Sequence, residues 1–212
     1  MLRRAFIAVA VGLLWPVLAV AQDAATPAPA ARPALPRVVL ETSAGRLVIE
    51  VNDRAAPVTS ANFLKYVDER RFDGATFYRA MKPAPDRGLV QGGTNNDPAR
   101  VLPPIAHEPT TQTGLSHVDG AVSMARYEPG TATGDFFISV GATPSYDAGR
   151  PYSMDAFGFA VFGKVVEGME AVRAILTAPT SATEGEGFMR GQMLDPRIVI
   201  VSARREAAPT AP

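Results

Sequence analysis

Apolar and polar positions alternate in short runs over most of this chain. Leu47, Ile49 and Val51 alternate with Arg46 and Glu50, and Val38–Thr42 forms a matching run on the other side of Ser43-Ala44-Gly45. A period of two puts every second side chain on one face, so the two runs read as a hairpin. Pro57, Thr59 and Ser60 then open a helix that carries Phe63, Tyr66 and Val67 at i, i+3 and i+4. Further apolar runs fall at Thr76–Ala80, Leu89–Gln91, Ala121–Ala125, Asp135–Val140, Phe159–Val166 and Ile198–Ser202. A second helix is predicted near Glu167–Leu176, with Met169, Val172, Ile175 and Leu176 along it. Many short strands, Gly/Pro-rich connections and two helices describe a mainly β domain, either a closed antiparallel barrel or a sandwich. The connections Lys82–Gly88, Thr94–Gly120, Gly141–Asp155 and Thr177–Pro196 are long, as loops that form functional surfaces are.

Both ends break this pattern. Arg3 and Arg4 precede an apolar run from Ala5 to Val20 that contains Pro16 and ends in Ala19-Val20-Ala21 before Gln22. The run is shorter than the ~20 residues of a membrane span. It reads as a signal peptide, residues 1–21, cleaved after Ala21. No cysteine follows it, which removes a lipoprotein anchor. The arginine pair also resembles a twin-arginine signal, but two arginines in so short a basic region are ordinary for the general secretory route, which is the expectation. The mature protein is expected to be exported and periplasmic, with no stable membrane anchor. From Gln22 to Pro36, ten of fifteen residues are Ala or Pro, so 22–36 is a linker that favours extended conformations. Residues 206–212 form a similar flexible tail, leaving one domain at 37–205 with no internal repeat.

Composition then narrows the chemistry. The 212 residues include 21 basic and 21 acidic side chains and are 47% apolar, enough to bury a core. Loss of the leader leaves 19 basic against 21 acidic groups, without the basic excess of a nucleic-acid binder. The absence of cysteine excludes disulfides, thiolate metal sites and cysteine nucleophiles. Only His107 and His117 are present, so a three-histidine metal site is excluded too. No G-x-S-x-G occurs, and His107-Glu108 does not continue to H-E-x-x-H. The run Gly185-Glu186-Gly187-Phe188-Met189-Arg190-Gly191 follows no strand and opens no helix, so it reads as a flexible loop rather than a phosphate cradle. No pair of carboxylates is singled out. No metal and no cofactor are expected, and an enzyme built from this inventory breaks no covalent bond. His117 is expected to be structural, hydrogen-bonded beneath the following loop.

Three stretches carry a resemblance. They are Phe72-Asp73-Gly74-Ala75-Thr76-Phe77-Tyr78-Arg79 with Leu89-Val90-Gln91-Gly92-Gly93; Gly120–Ala125 with Gly134-Asp135-Phe136-Phe137-Ile138; and Phe157–Met169. With the Asn62-Phe63 helix they are similar to the cyclophilin-type peptidyl-prolyl cis-trans isomerases, and Pro103-Pro104-Ile105 with Glu108 resembles their exported bacterial branch. The resemblance implies a closed eight-stranded antiparallel barrel capped by two helices, with a groove on its outside. It implies Arg79 as the catalytic arginine, assisted by Gln91, with Phe77, Leu89, Ala125, Arg126, Asp135, Phe137, Tyr146 and Phe159 at the substrate groove. Alternation makes Phe136 the core member of its pair and Phe137 the groove member.

The implied reaction suits this inventory. A prolyl amide rotates over ~18–20 kcal/mol because resonance stiffens its C–N bond, and a ~10⁴-fold acceleration needs only ~5.5 kcal/mol. A guanidinium stabilises the twisted amide more than either planar isomer, an apolar wall holds the proline ring, and no general base is needed. The expected partners are proline-containing unfolded or extended polypeptides, met by a monomer. Three positions depart from the family pattern. Gly88 and Ser145 stand where aromatics are usual, and Asp135 where glutamine is, with Lys82–Arg87 inserted before Gly88. These changes imply weak cyclosporin binding and an altered pocket, in which Asp135 tethers an arginine or draws Arg79 away. A non-catalytic proline-peptide-binding module on the same fold is the rival expectation.

Overall fold

The alternating segments form eight strands: β1 (Arg37–Thr42), β2 (Gly45–Val51), β3 (Thr76–Ala84), β4 (Arg87–Gly93), β5 (Ala121–Met124), β6 (Phe136–Val140), β7 (Ala160–Glu167) and β8 (Met193–Arg205). The structure is a computed structural model that describes residues 34–151 and 155–207. The expected leader, most of the linker and the end of the tail lie outside the described residues. Every strand pairs antiparallel in the order β1-β2-β7-β5-β6-β4-β3-β8, and β8 returns to β1. Closure leaves no open edge, which settles the choice between barrel and sandwich.

Alternation fills the barrel. Val38 and Leu40 from β1 and Leu47, Ile49 and Val51 from β2 join one buried cluster with Phe63, Phe72, Phe77, Phe136 and Phe162. The Phe63 ring centre lies 4.9 Å from Phe162, 5.4 Å from Phe72 and 5.5 Å from Phe136. An interior packed this way has no room for a ligand, so a binding surface must lie outside.

Among the described residues three α-helices accompany the strands, one more than the periodicity predicts: α1 (Pro57–Asp68), α2 (Thr110–Thr113) and α3 (Met169–Thr177). The extra helix, α2, is a single turn within the Thr94–Gly120 connection, too short to show a hydrophobic period. Pro57 suits the first turn of α1, where its missing N–H is no loss. Ala56 before it has no side chain to cap the helix. Buried Glu108 does so from a distant loop, accepting from Val58 N–H (3.1 Å), Thr59 N–H (2.7 Å) and Thr59 Oγ1 (2.6 Å). α1 packs on β7 and β8; α3 packs on β2, β3, β4 and β6 through Ala171, Val172, Ile175 and Leu176.

The connection Lys82–Gly88 is not the loop expected from the sequence. β3 and β4 continue through it as a hairpin, with Ala84 opposite Arg87, and a register shift between Met81 and Ala84 accommodates Pro83. Proline has no N–H to give a ladder, so a bulge is where a strand tolerates it.

Candidate active site

Simple alternation along β3 would put Phe77 and Arg79 on one face. The ladder slips there, because the pairings to both β4 and β8 shift register between these residues. A one-residue slip reverses the facing of every later residue on the strand. Phe77, expected at the groove, is therefore fully buried in the barrel, edge-on to Phe136 at 5.7 Å. Beyond the slip, Arg79 pairs with Gln91, Gln91 with Phe137, and Phe137 with Ser123 in a row across four strands. The adjacent row runs Met81, Leu89, Ser139. Paired residues share a face with Cβ atoms about 4.5–5.5 Å apart, so a guanidinium comes to lie beside an apolar patch.

The guanidinium is held firmly. Gln91 Oε1 accepts from Arg79 Nη1 at 2.9 Å, and Gln192 Oε1 accepts from Arg79 Nε at 2.9 Å. Gln91 Nε2 donates to the Tyr78 hydroxyl at 2.7 Å, which orients the Gln91 amide with its oxygen toward Arg79. Arginine has five N–H donors; the remaining ones, on Nη1 and Nη2, carry no hydrogen bond among the described residues. Only 9% of Arg79 is exposed. Burial lowers its pKa from the ordinary value, an effect opposed by Tyr146 and Tyr78 nearby, and an arginine so placed keeps its charge at neutral pH.

Beside it lies an apolar cup of buried Leu89, Phe137 and Tyr146, with Met81, Ala125 and Phe159 packed against them. Phe137 meets Tyr146 at 5.6 Å and Phe159 at 5.3 Å, and Tyr146 meets Phe159 at 5.6 Å, all edge to face. Behind Phe137, the His117 ring stacks parallel to it at 5.7 Å. His117 Nδ1 lies 2.6 Å from Asp147 Oδ1 and Nε2 lies 3.1 Å from Ser123 Oγ. The order Ser, His, Asp is that of a hydrolase triad, but Ser123 is fully buried and no substrate reaches it. The three tie the cup to the loop after β6.

The departures resolve individually. A Cβ at Gly88 would sit 2.1 Å from the Met81 carbonyl oxygen and 3.0 Å from Leu176, so no side chain fits at this position, whose backbone lines the cavity beside the cup. Met81 stands against the cup instead. Asp135 neither tethers an arginine nor displaces Arg79. Its carboxylate is buried, accepts from Asn95 N–H at 2.7 Å, and interacts with Tyr78. Burial raises the pKa of both Asp135 and Tyr78. Asp135 therefore reaches Arg79 only through Tyr78 and Gln91, not by lining the groove. The Arg126 side chain is likewise committed, to Asp155 at 2.8 Å and to the Gly158 carbonyl, with its guanidinium carbon 4.9 Å from the centre of the Phe159 ring. Ser145, with Met81, Pro83, Arg87, Tyr146 and Arg150, lines an open cavity of about 510 Å³ beside the cup.

Sequence reasoning missed Tyr78, Met81, Gln192 and Phe188. Met81 is two residues from Arg79 on the same strand, so strict alternation would have found it. Tyr78 is hidden by the register slip. Gln192 and Phe188 come from the glycine-rich connection before β8, where no periodicity points anywhere.

A profile of the family described as cyclophilin type peptidyl-prolyl cis-trans isomerase/CLD matches residues 37–204. A peptidyl-prolyl cis-trans isomerase of Streptomyces antibioticus is 38% identical over 154 residues, covering 70% of this chain and 87% of that protein. Peptidyl-prolyl cis-trans isomerase A of Dickeya dadantii is 37% identical over 146 residues, covering 68% of this chain and 72% of its own. A crystal structure of a cyclophilin type isomerase from Cryptosporidium parvum superposes with a TM-score of 0.64 at 20% identity, covering 82% of this chain and 99% of that one. The same protein, solved in the presence of the dipeptide Ala-Pro, superposes with a TM-score of 0.64. Barrel, matched span and bacterial relatives agree: this chain belongs to the cyclophilin-type peptidyl-prolyl cis-trans isomerases.

Proposed function

We propose that the chain acts after export, as a monomer, on unfolded or extended polypeptides that contain proline, and that Arg79 is its catalytic residue. The observation that carries this reading is the Arg79 guanidinium, fixed by Gln91 and Gln192 beside the Leu89–Phe137–Tyr146 cup with donors still unused. The cup takes the proline ring, since apolar rings and a few placed donors are what such a site requires. The backbone at Ala125-Arg126 pairs with the extended client. As the amide twists, resonance is lost and the nitrogen lone pair localises; the guanidinium, already in place, stabilises that arrangement over both planar isomers. Gln91 orients Arg79 rather than taking a proton. The held guanidinium beside an intact apolar cup favours the catalytic reading over a module that only binds. The basic, apolar and small-residue order of Arg3 to Ala21 supports export. Open space at Ser145 in place of an aromatic ring supports weak cyclosporin binding.

Cis-to-trans exchange of a short X-Pro-Phe peptide tests the site. The chain from Val38 onward accelerates exchange, and Arg79→Ala lowers kcat/KM by about 10²–10³, the range for removing one preorganised charge-stabilising donor. Unchanged turnover in that variant would remove Arg79 from the reaction. Secreted material that does not begin at Gln22 would contradict the leader assignment.

A further inference from the structure

The connection between α3 and β8 reads from sequence as a flexible glycine-rich loop, yet it is tied down throughout. Ser181 N–H donates to Met193 O at 2.8 Å, Gly191 N–H to Glu184 O at 3.0 Å, and Gln192 N–H to Met189 O at 3.0 Å. Gly185 has φ +93°, and a Cβ there would meet the Met189 carbonyl oxygen at 2.5 Å, so the turn demands glycine. Ala80 N–H, next to Arg79, donates to Gln192 O at 2.9 Å, which stitches the loop to β3. The Gln192 side chain then spans two partners. Its Oε1 accepts from Arg79 Nε at 2.9 Å, and its Nε2 donates to Phe188 O at 2.7 Å. The Phe188 ring, 74% exposed, stands 5.5 Å from the guanidinium carbon.

We propose that Gln192 is a positioning residue for the isomerisation, holding Arg79 through Nε while Gln91 holds it through Nη1. A long arginine side chain samples many rotamers, and one acceptor leaves its plane free to swing about that contact. Two acceptors on different nitrogens fix the plane and aim the unused donors, and electrostatic catalysis depends on donors already in place. Phe188 covers one face of the guanidinium. The glycine-rich loop is thus part of the catalytic apparatus, and the glutamine acts from 113 positions along the chain. This inference rests on the reading of Arg79 as the catalytic group.

The test measures kcat and KM for an X-Pro-Phe peptide together with solvent exchange of the Arg79 Nε–H in the nitrogen-15 NMR spectrum. Gln192→Leu is expected to lower kcat about tenfold with KM within twofold, and to make the Nε–H exchange rapidly. Gln192→Glu keeps the acceptor for Arg79 but loses the donation to Phe188 O; it is expected to keep the Nε–H protected. Gln192→Met replaces the leucine variant if leucine disturbs the amide spectrum of the domain. A kcat within twofold of the parent in the leucine or methionine variant would overturn the inference. So would equal loss of kcat and of Nε–H protection in the leucine and glutamate variants, which would assign Gln192 to loop folding alone. Parent-like turnover in Arg79→Ala would instead sink the reading of Arg79 beneath it, so the two failures are distinguishable.

Discussion

Tyr78 shows how much of a site can depend on a side chain that touches no substrate. Its hydroxyl accepts from Gln91 Nε2, and on its other side it interacts with the buried Asp135. An amide side chain can present either its oxygen or its nitrogen, and this contact selects the orientation that gives Arg79 an acceptor. Tyr78→Phe deletes the acceptor and leaves Asp135 with one fewer partner. Kinetics of the variant are expected to show a several-fold lower kcat. Urea denaturation is expected to show a loss of ~1–3 kcal/mol, the usual range for a buried polar group deprived of a partner.

Elements here borrow their ends from elsewhere in the chain. α1 has proline at its first position and no capping side chain before it, so its first N–H groups rely on Glu108. A carboxylate at that end also complements the helix dipole. Glu108→Ala is expected to cost ~1–3 kcal/mol in a denaturation midpoint while leaving kcat for a proline peptide unchanged, since Glu108 lies outside the groove. The β3–β4 hairpin borrows in the opposite sense. Its register slips decide that Phe77 enters the core while Arg79 stands beside the cup.

Across the whole molecule, His117 links β5, the loop after β6 and the Phe137 ring of the cup. Burial lowers its pKa from the ordinary value, although Asp147 opposes the shift. Above about pH 6.5, the unfolded-state value, folded and unfolded chains both hold the imidazole neutral and its contribution is intact. As pH falls below that value, the unfolded chain takes up a proton that the folded chain resists, so stability declines toward the folded pKa, by at most ~1.4 kcal/mol per pH unit. Denaturation midpoints taken from pH 7 downward are expected to fall in this window, and to fall less in His117→Asn.

Local pattern was enough for the strands, for α1 and α3, for Phe136 inward beside Phe137 outward, and for the Arg79 and Gln91 motifs that place the chain in its family. These depend on spacings of two to four residues and on short runs of side chains, which are written directly in the order of amino acids. The resemblance carried the closed barrel, whereas the inward turn of Phe77, the lack of room for a side chain at Gly88, the burial of Asp135 and the arrival of Gln192 at Arg79 were decided only by the tertiary structure. Facing along a strand reverses at every register slip, and a slip is set by how eight strands close on one core rather than by the residues beside it. Gln192 and Arg79 meet because barrel closure lays β8 against β3, a proximity that no local spacing encodes.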